Sequence, residues 1–237
     1  MALDKMVDSA KLDNNLKSVA DAIRAKAETE DLLAFPDGFV EAVDSIPVSK
    51  ADAELVEQFR RVCTRDTQTP ITSIPDDITS IGSNAFYSCT NLALTSLPSG
   101  VTSIGNSAFE RCTSLALTSL PSGVTSIPYE GFMNSGIKIS QLPPQVTTIG
   151  TEGFRQCNNI KTMVFPVSVS SIGSMAFSSS ASLTSVTFEG TPKVIASNAF
   201  SYCKALETVN VPWAEGAVAS APWGATNATI NYNYTGE

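Results

Sequence analysis

The sequence predicts an α+β repeat solenoid, in which parallel short strands alternate with short helical or 3₁₀ segments, preceded by a small helical N-terminal region. Three observations carry this expectation. A phenylalanine recurs at Phe86, Phe109, Phe132, Phe154, Phe177 and Phe200, at intervals of 23, 23, 22, 23 and 23 residues. Five residues before each stands an isoleucine: Ile81, Ile104, Ile127, Ile149, Ile172 and Ile195. The chain also changes character near residue 66, since of its fourteen glycines only Gly38, and of its thirteen prolines only Pro36 and Pro47, lie before that point. A unit of this length has too little interior of its own and is stabilised by stacking on its neighbours.

The repeating unit reads V-x-x-I-G-x-x-A-F-x-x-C-x-x-L, then a short apolar stretch ending in Pro. Each unit is expected to add a strand to a parallel ladder, as at Leu183 to Phe188, before turning at Pro. The A-F-x-x-C stretch is read as helical or 3₁₀. One Phe and three aliphatics per unit, at about 2 kcal/mol each, offset much of the ordering entropy. Cys89, Cys112, Cys157 and Cys203 each follow a repeat Phe by three residues, and Ser135 and Ser180 hold that place in the other two units. This pattern offers no paired spacing for a disulfide or zinc site, so the thiols are read as small, reduced, buried spacers. Cys63, alone before the repeats, is expected to be unpaired.

Residues 1–65 form the expected helical head, serving attachment or oligomerisation. Leu12, Leu16, Val19 and Ile23 recur at helical spacing and make one apolar stripe, the candidate docking or oligomerisation surface, with a homo-trimer as the possible assembly. Residues 66–211 form the six-unit solenoid. Residues 212–237 are expected to cap it, because Ile230, Tyr232 and Tyr234 alternate with Asn231 and Asn233 as in a half-buried strand, and Trp213 and Trp223 supply apolar cover.

Composition narrows the function. With 43% apolar residues and mean hydropathy +0.07 the chain buries a core. A net charge of −8 leaves no basic field for phosphates, so nucleic acid is not an expected partner. No run of 18 apolar residues occurs, so no membrane insertion is expected. Charges at Asp4, Lys5 and Asp8 stand where a signal peptide needs an apolar stretch, which predicts folding in a cytosol. The chain contains no histidine, which removes His-based triads, His-ligated zinc and the usual neutral-pH general base. Asp76 and Asp77 beside Pro75 read as a turn rather than an acid and base pair, and no Gly-rich phosphate loop appears. No enzyme, cofactor or metal site is therefore expected.

Specificity is expected where the units differ. The two residues after each Phe vary most, and Tyr87, Glu110, Arg111, Met133, Asn134, Arg155, Gln156 and Tyr202 form the candidate binding surface, rich in aromatic, Arg and amide groups. The alternative is an ordinary solvated face. The pairs Thr79-Ser80, Thr102-Ser103, Thr125-Ser126, Thr147-Thr148 and Ser170-Ser171 make a hydroxyl ladder, open to glycans or satisfied locally.

The stretches Ser80-Ile81-Gly82-Ser83-Asn84-Ala85-Phe86-Tyr87-Ser88-Cys89 and Ser103-Ile104-Gly105-Asn106-Ser107-Ala108-Phe109-Glu110-Arg111-Cys112 resemble the BspA-like leucine-rich repeat family over about residues 71–211. This resemblance implies surface adhesion or protein binding. In the head, Val19-Ala20-Asp21-Ala22-Ile23-Arg24-Ala25-Lys26 and Leu33-Ala34-Phe35-Pro36-Asp37-Gly38-Phe39-Val40-Glu41-Ala42-Val43 are similar to segments of tail or baseplate-associated proteins of phages and prophages of Gram-positive gut bacteria. Val211-Pro212-Trp213-Ala214-Glu215-Gly216 and the segment from Ala221 to Tyr232 resemble the same group. That implies a virion component, assembled in the host cytoplasm. Its head would meet other tail or baseplate proteins, and its solenoid a bacterial cell-surface protein or glycan in host attachment. A bacterial adhesin or protein-protein interaction module is the alternative.

Overall fold

The structure, a computed structural model, describes residues 70–236. The expected helical head, with Leu12, Leu16, Val19 and Ile23, lies outside the described residues. Each repeat is one coil, numbered 1 to 6 from the coil of Phe86 to that of Phe200. All strand pairs are parallel and join successive coils.

Strands form along two sides of the coils. On the first side run β1 (Ser80–Ile81), β2 (Ser103–Ile104), β3 (Ser126–Ile127), β4 (Thr148–Ile149), β6 (Ser171–Ile172) and β8 (Val194–Ile195). In every one the isoleucine is buried, and in all but β6 the residue before it is exposed. On the second side β5 (Thr162–Phe165), β7 (Ser185–Phe188), β9 (Thr208–Asn210) and β10 (Thr229–Asn231) form a four-stranded sheet in the order β10-β9-β7-β5. The strand expected from Leu183 to Phe188 is thus present as β7.

Coils 1 to 3 lack named strands on the second side, for a legible reason. In coils 4 and 5 buried residues alternate, as at Met163 and Phe165 or Val186 and Phe188. In coil 1 the buried residues are Leu92, Leu94 and Leu97, with Thr95 and Ser96 both exposed between them. Two outward residues in succession break the period of two that a pleated strand requires.

The A-F-x-x-C stretch is not helical. No helix occurs among the described residues, and this stretch is a run of turns. The residue two after each Phe has a left-handed backbone: Ser88, Arg111, Asn134, Gln156, Ser179 and Tyr202, with φ between 58° and 62° at all but Asn134 (51°). So does the residue two before Phe in coils 1 to 5: Asn84, Ser107, Glu130, Glu152 and Met175. A right-handed helix does not propagate through residues of the opposite hand. The N–H groups at these positions other than Tyr202, and at Phe itself, reach the next coil instead, as in Phe86 N to Ala108 O at 2.9 Å and Arg111 N to Met133 O at 2.8 Å. The intervening N–H groups close turns within the coil, as in Cys89 N to Phe86 O at 3.0 Å. This gives a third ladder between coils, made by turns rather than strands, and it satisfies the buried backbone.

The repeat phenylalanines stack in a column with ring centroids 5.1 to 5.5 Å apart. A second aromatic column runs from Phe165 to Phe188 (4.6 Å), then to Trp213 (5.2 Å) and on to Trp223 (6.3 Å). Coil 3 is one residue short, which sets the 22-residue interval. Ile137 rather than Lys138 fills the buried leucine position there. Gly136 makes the shortened path passable, because a Cβ on it would lie 2.4 Å from the carbonyl oxygens of Thr113 and Leu115.

Beyond coil 6 the chain traces a degenerate seventh coil. Val218 is buried 23 residues after Ile195, the Trp223 carbonyl accepts from Phe200 N at 2.9 Å, and β10 extends the second sheet. Ile230, Tyr232 and Tyr234 are each half-buried and alternate with exposed Asn231 and Asn233.

Candidate binding surface

The turn ladder fixes where the candidate residues stand. Positions just before and after each Phe form rows running from coil to coil, held in register by the backbone bonds between coils. On these rows Tyr87 (39% exposed) and Tyr202 (74%) are surface aromatics, and Arg111 is exposed. Met133, Asn134, Arg155 and Gln156 are half-buried. Glu110 is different from expectation: at 6% exposure it is buried rather than presented.

Coils 1 to 4 concentrate charge and aromatic area. Arg111 Nε lies 3.5 Å from Glu110 Oε1, and its guanidinium stands over the Tyr87 ring, 5.9 Å from the centroid. Arg155 donates to Glu152 Oε2 at 2.7 Å. Ser107 donates to Glu130 Oε2 at 3.1 Å. Arg155 Nε is buried and meets no acceptor. Burial pushes the Glu110 carboxyl above its usual value, against the Ser107 hydroxyl, with the like charges of Glu130 and Glu152 pushing the same way and Arg111 opposing. The Tyr129 phenol, 46% exposed, is hydrogen-bonded to Glu130 and is held above its ordinary value by that bond first and by the surrounding carboxylates. On the same rows coils 5 and 6 carry Ser178, Ser179, Ser201 and the exposed Tyr202, so the charged patch ends at coil 4 while an aromatic remains at coil 6.

Sequence reasoning missed Tyr129, Glu130 and Glu152, which stand before the phenylalanines rather than after. One signal was present. The row Ser83, Asn106, Tyr129, Thr151, Ser174, Ser197 is small and polar apart from Tyr129.

The thiols are more than spacers. Cys112, Cys157 and Cys203 donate to the Phe carbonyl of the preceding coil at 2.9 to 3.0 Å, and Ser180 does the same at 3.0 Å. Burial raises the Cys157 thiol to about 12 and Cys203 to about 11, and Cys112 is pushed up further. No disulfide joins the described cysteines, and among the described residues no group of carboxylates and thiols is arranged to hold a metal ion. On the first side, Thr102, Thr147 and Ser170 donate to the backbone carbonyl one coil back at 3.1 to 3.3 Å, so these three hydroxyls are satisfied locally. Asp76 and Asp77 are exposed in a turn.

Short parallel strands, in-register apolar rows and a Phe column define a parallel-strand β-solenoid of the leucine-rich-repeat type. The chain belongs to the BspA type leucine rich repeat family, whose model matches residues 60–138 and 125–214 with six copies of the repeat. Among solved structures it is similar to a leucine-rich repeat protein from Bacteroides ovatus, at 20% identity and TM-score 0.36, covering 69% of this chain and 60% of that one. It is also similar to the T. pallidum leucine rich repeat protein, at 24% identity and TM-score 0.42, covering 68% of each. A third is a leucine rich cell surface protein from Faecalibacterium prausnitzii, at 21% identity and TM-score 0.29, covering 74% of this chain and 82% of that one. The chain thus spans under two thirds of the Bacteroides protein. No curated protein matches it.

Proposed function

We propose that the protein is a non-enzymatic binding module whose turn face, in coils 1 to 4 and at Tyr202 of coil 6, is the contact surface. The observation that supports this reading is the concentration of exposed tyrosine and arginine on that face, with Arg111 held between Tyr87 and Glu110. Aromatic and guanidinium groups held in fixed geometry lose little entropy on binding and dominate recognition surfaces. The core positions are fixed by stacking, which leaves these rows free to vary.

The finer proposal is that the module serves host attachment in a phage or prophage tail. The head would dock on tail or baseplate proteins, and the solenoid would take a bacterial cell-surface protein or glycan. This part of the reading rests on the sequence resemblance given above for residues 19–26, 33–43, 211–216 and 221–232. The test has two parts. Antibody against the solenoid should decorate particles released from the producing strain, and fluorescent full-length protein should stain host cells. A variant with Tyr87, Arg111, Arg155 and Tyr202 changed to Ala should lose staining. Undiminished staining by that variant would reject the turn face. Labelling of the producer's surface without particles would make the protein an adhesin instead.

A further inference from the structure

Coils 2 and 4 each pair a carboxylate with a guanidinium, and coil 3 between them holds a carboxylate without one. In coil 2 a carboxylate, Glu110, holds the Arg111 guanidinium, which also covers the Tyr87 ring. In coil 4 Glu152 holds Arg155. Coil 3, between them, has Glu130 in the position of Glu152, with Tyr129 beside it, but Met133 stands where coil 4 has Arg155, and Asn134 stands where coil 2 has Arg111. Glu130 makes no ion pair among the described residues. Its partners are the Ser107 hydroxyl and the Tyr129 phenol, both neutral. The patch therefore holds three carboxylates against two guanidiniums, in a chain of net charge −8.

We infer that Tyr129 and Glu130 receive a lysine or arginine side chain from a protein partner, the cation that coil 3 does not supply. This rests on the turn face being the binding surface. A cation over an exposed tyrosine ring and beside a carboxylate gains from both, and Arg111 over Tyr87 shows the same surface accepting one. The raised Glu110 carboxyl, pushed partly by Glu130 and Glu152, adds that an incoming positive charge relieves repulsion already present. An anionic partner would meet the excess negative charge, and a neutral glycan would leave it uncompensated.

The test uses full-length protein and a fluorescent hexalysine peptide, read by anisotropy at about 0.15 M salt, where long-range attraction to net charge is screened. Glu130→Gln and Tyr129→Ala should each weaken binding about fivefold. Glu189→Gln, which removes one exposed charge after β7, should leave it within about twofold of wild type. Tyr129→Phe, which keeps the ring, should bind better than Tyr129→Ala. Equal losses in Glu130→Gln and Glu189→Gln would overturn the inference by showing attraction to net charge alone, and so would unchanged binding in Tyr129→Ala. Host-cell staining separates the two proposals. Loss with the Tyr87, Arg111, Arg155, Tyr202 variant but not with Glu130→Gln removes this cation position and keeps the binding face, and loss with neither removes both.

Discussion

The Cys157 thiol donates to the carbonyl of Phe132, 3.0 Å away and one coil back, and Ser180 makes the equivalent bond to Phe154 at the same distance. Cysteine and serine interchange at this position because the site asks for a small buried donor. Cys157→Ser should therefore cost under about 1 kcal/mol, whereas Cys157→Ala, which removes the donor and leaves a void, should cost about 1–2 kcal/mol. Urea unfolding of the two variants checks this.

Thiol labelling should separate the same positions. With Cys157 raised to about 12 and Cys203 to about 11 by burial, and Cys112 also raised and buried, little thiolate exists at pH 8. These three should react only when the fold opens, and half-buried Cys89 should react before them. Rapid native labelling of Cys157 would contradict the packing.

The Phe column predicts a graded response. Phe109 is fully buried between Phe86 and Phe132, so Phe109→Ala should cost about 3–5 kcal/mol. Phe86, half-buried with a ring partner at Phe109, should cost less. Chemical denaturation of both measures the ordering, and a cost below about 1 kcal/mol for Phe109→Ala would show that its ring is not core.

Ser179 has φ of 60°, a conformation that β-branched residues tolerate poorly. Ser179→Val should lower stability by about 1–2 kcal/mol, while Ser179→Gly should be neutral or stabilising. Far-UV circular dichroism of the solenoid should gain no helical signal from Ser179→Ala, because the N–H of this residue bonds to the Ser201 carbonyl of the next coil at 2.9 Å.

Glu110 gives a pH dependence with a definite sign. Its carboxyl is raised in the fold, chiefly by burial, so the native state holds the proton more tightly than the unfolded chain does. Its contribution to stability is full below the unfolded carboxyl value, about 4.3, and declines as pH rises through the folded one. Glu110→Gln cannot ionise. The stability of wild type relative to this variant should fall from pH 4 to 7 in paired melts, and a rise would reverse the assignment.

The interior was legible because packing acts on residue type: the repeat Phe from Phe109 onward, the Ile five before each Phe and the aliphatics at the Leu position, with Ile137 in place of Lys138, reappear as buried rows. The turn ladder was not. Its cause is a bond between residues about 23 apart, and locally Ala-Phe-x-x-Cys is compatible with a helix. Asn84 and Asn134 suit a left-handed backbone, but Arg111, Glu130 and Met175 adopt it without any such hint. For the surface, the rows after Phe identified the face. Glu110 shows the limit, since it is buried on the same row where Tyr87 is exposed.

Register between coils also bears on how such a chain changes length. Every row is continued by the same position about 23 residues later, through the backbone bonds of the turn ladder and the parallel strand pairs on the two sides of the coils. Excising residues 110–132 would join Phe109 to Met133 and present coil 1 with the continuation of coil 3 in the same register. The core would close over the cut, and Arg111, Tyr129 and Glu130 would vanish from the surface together. A fold built this way can exchange whole recognition rows by gain or loss of a period, leaving its interior nothing to redesign.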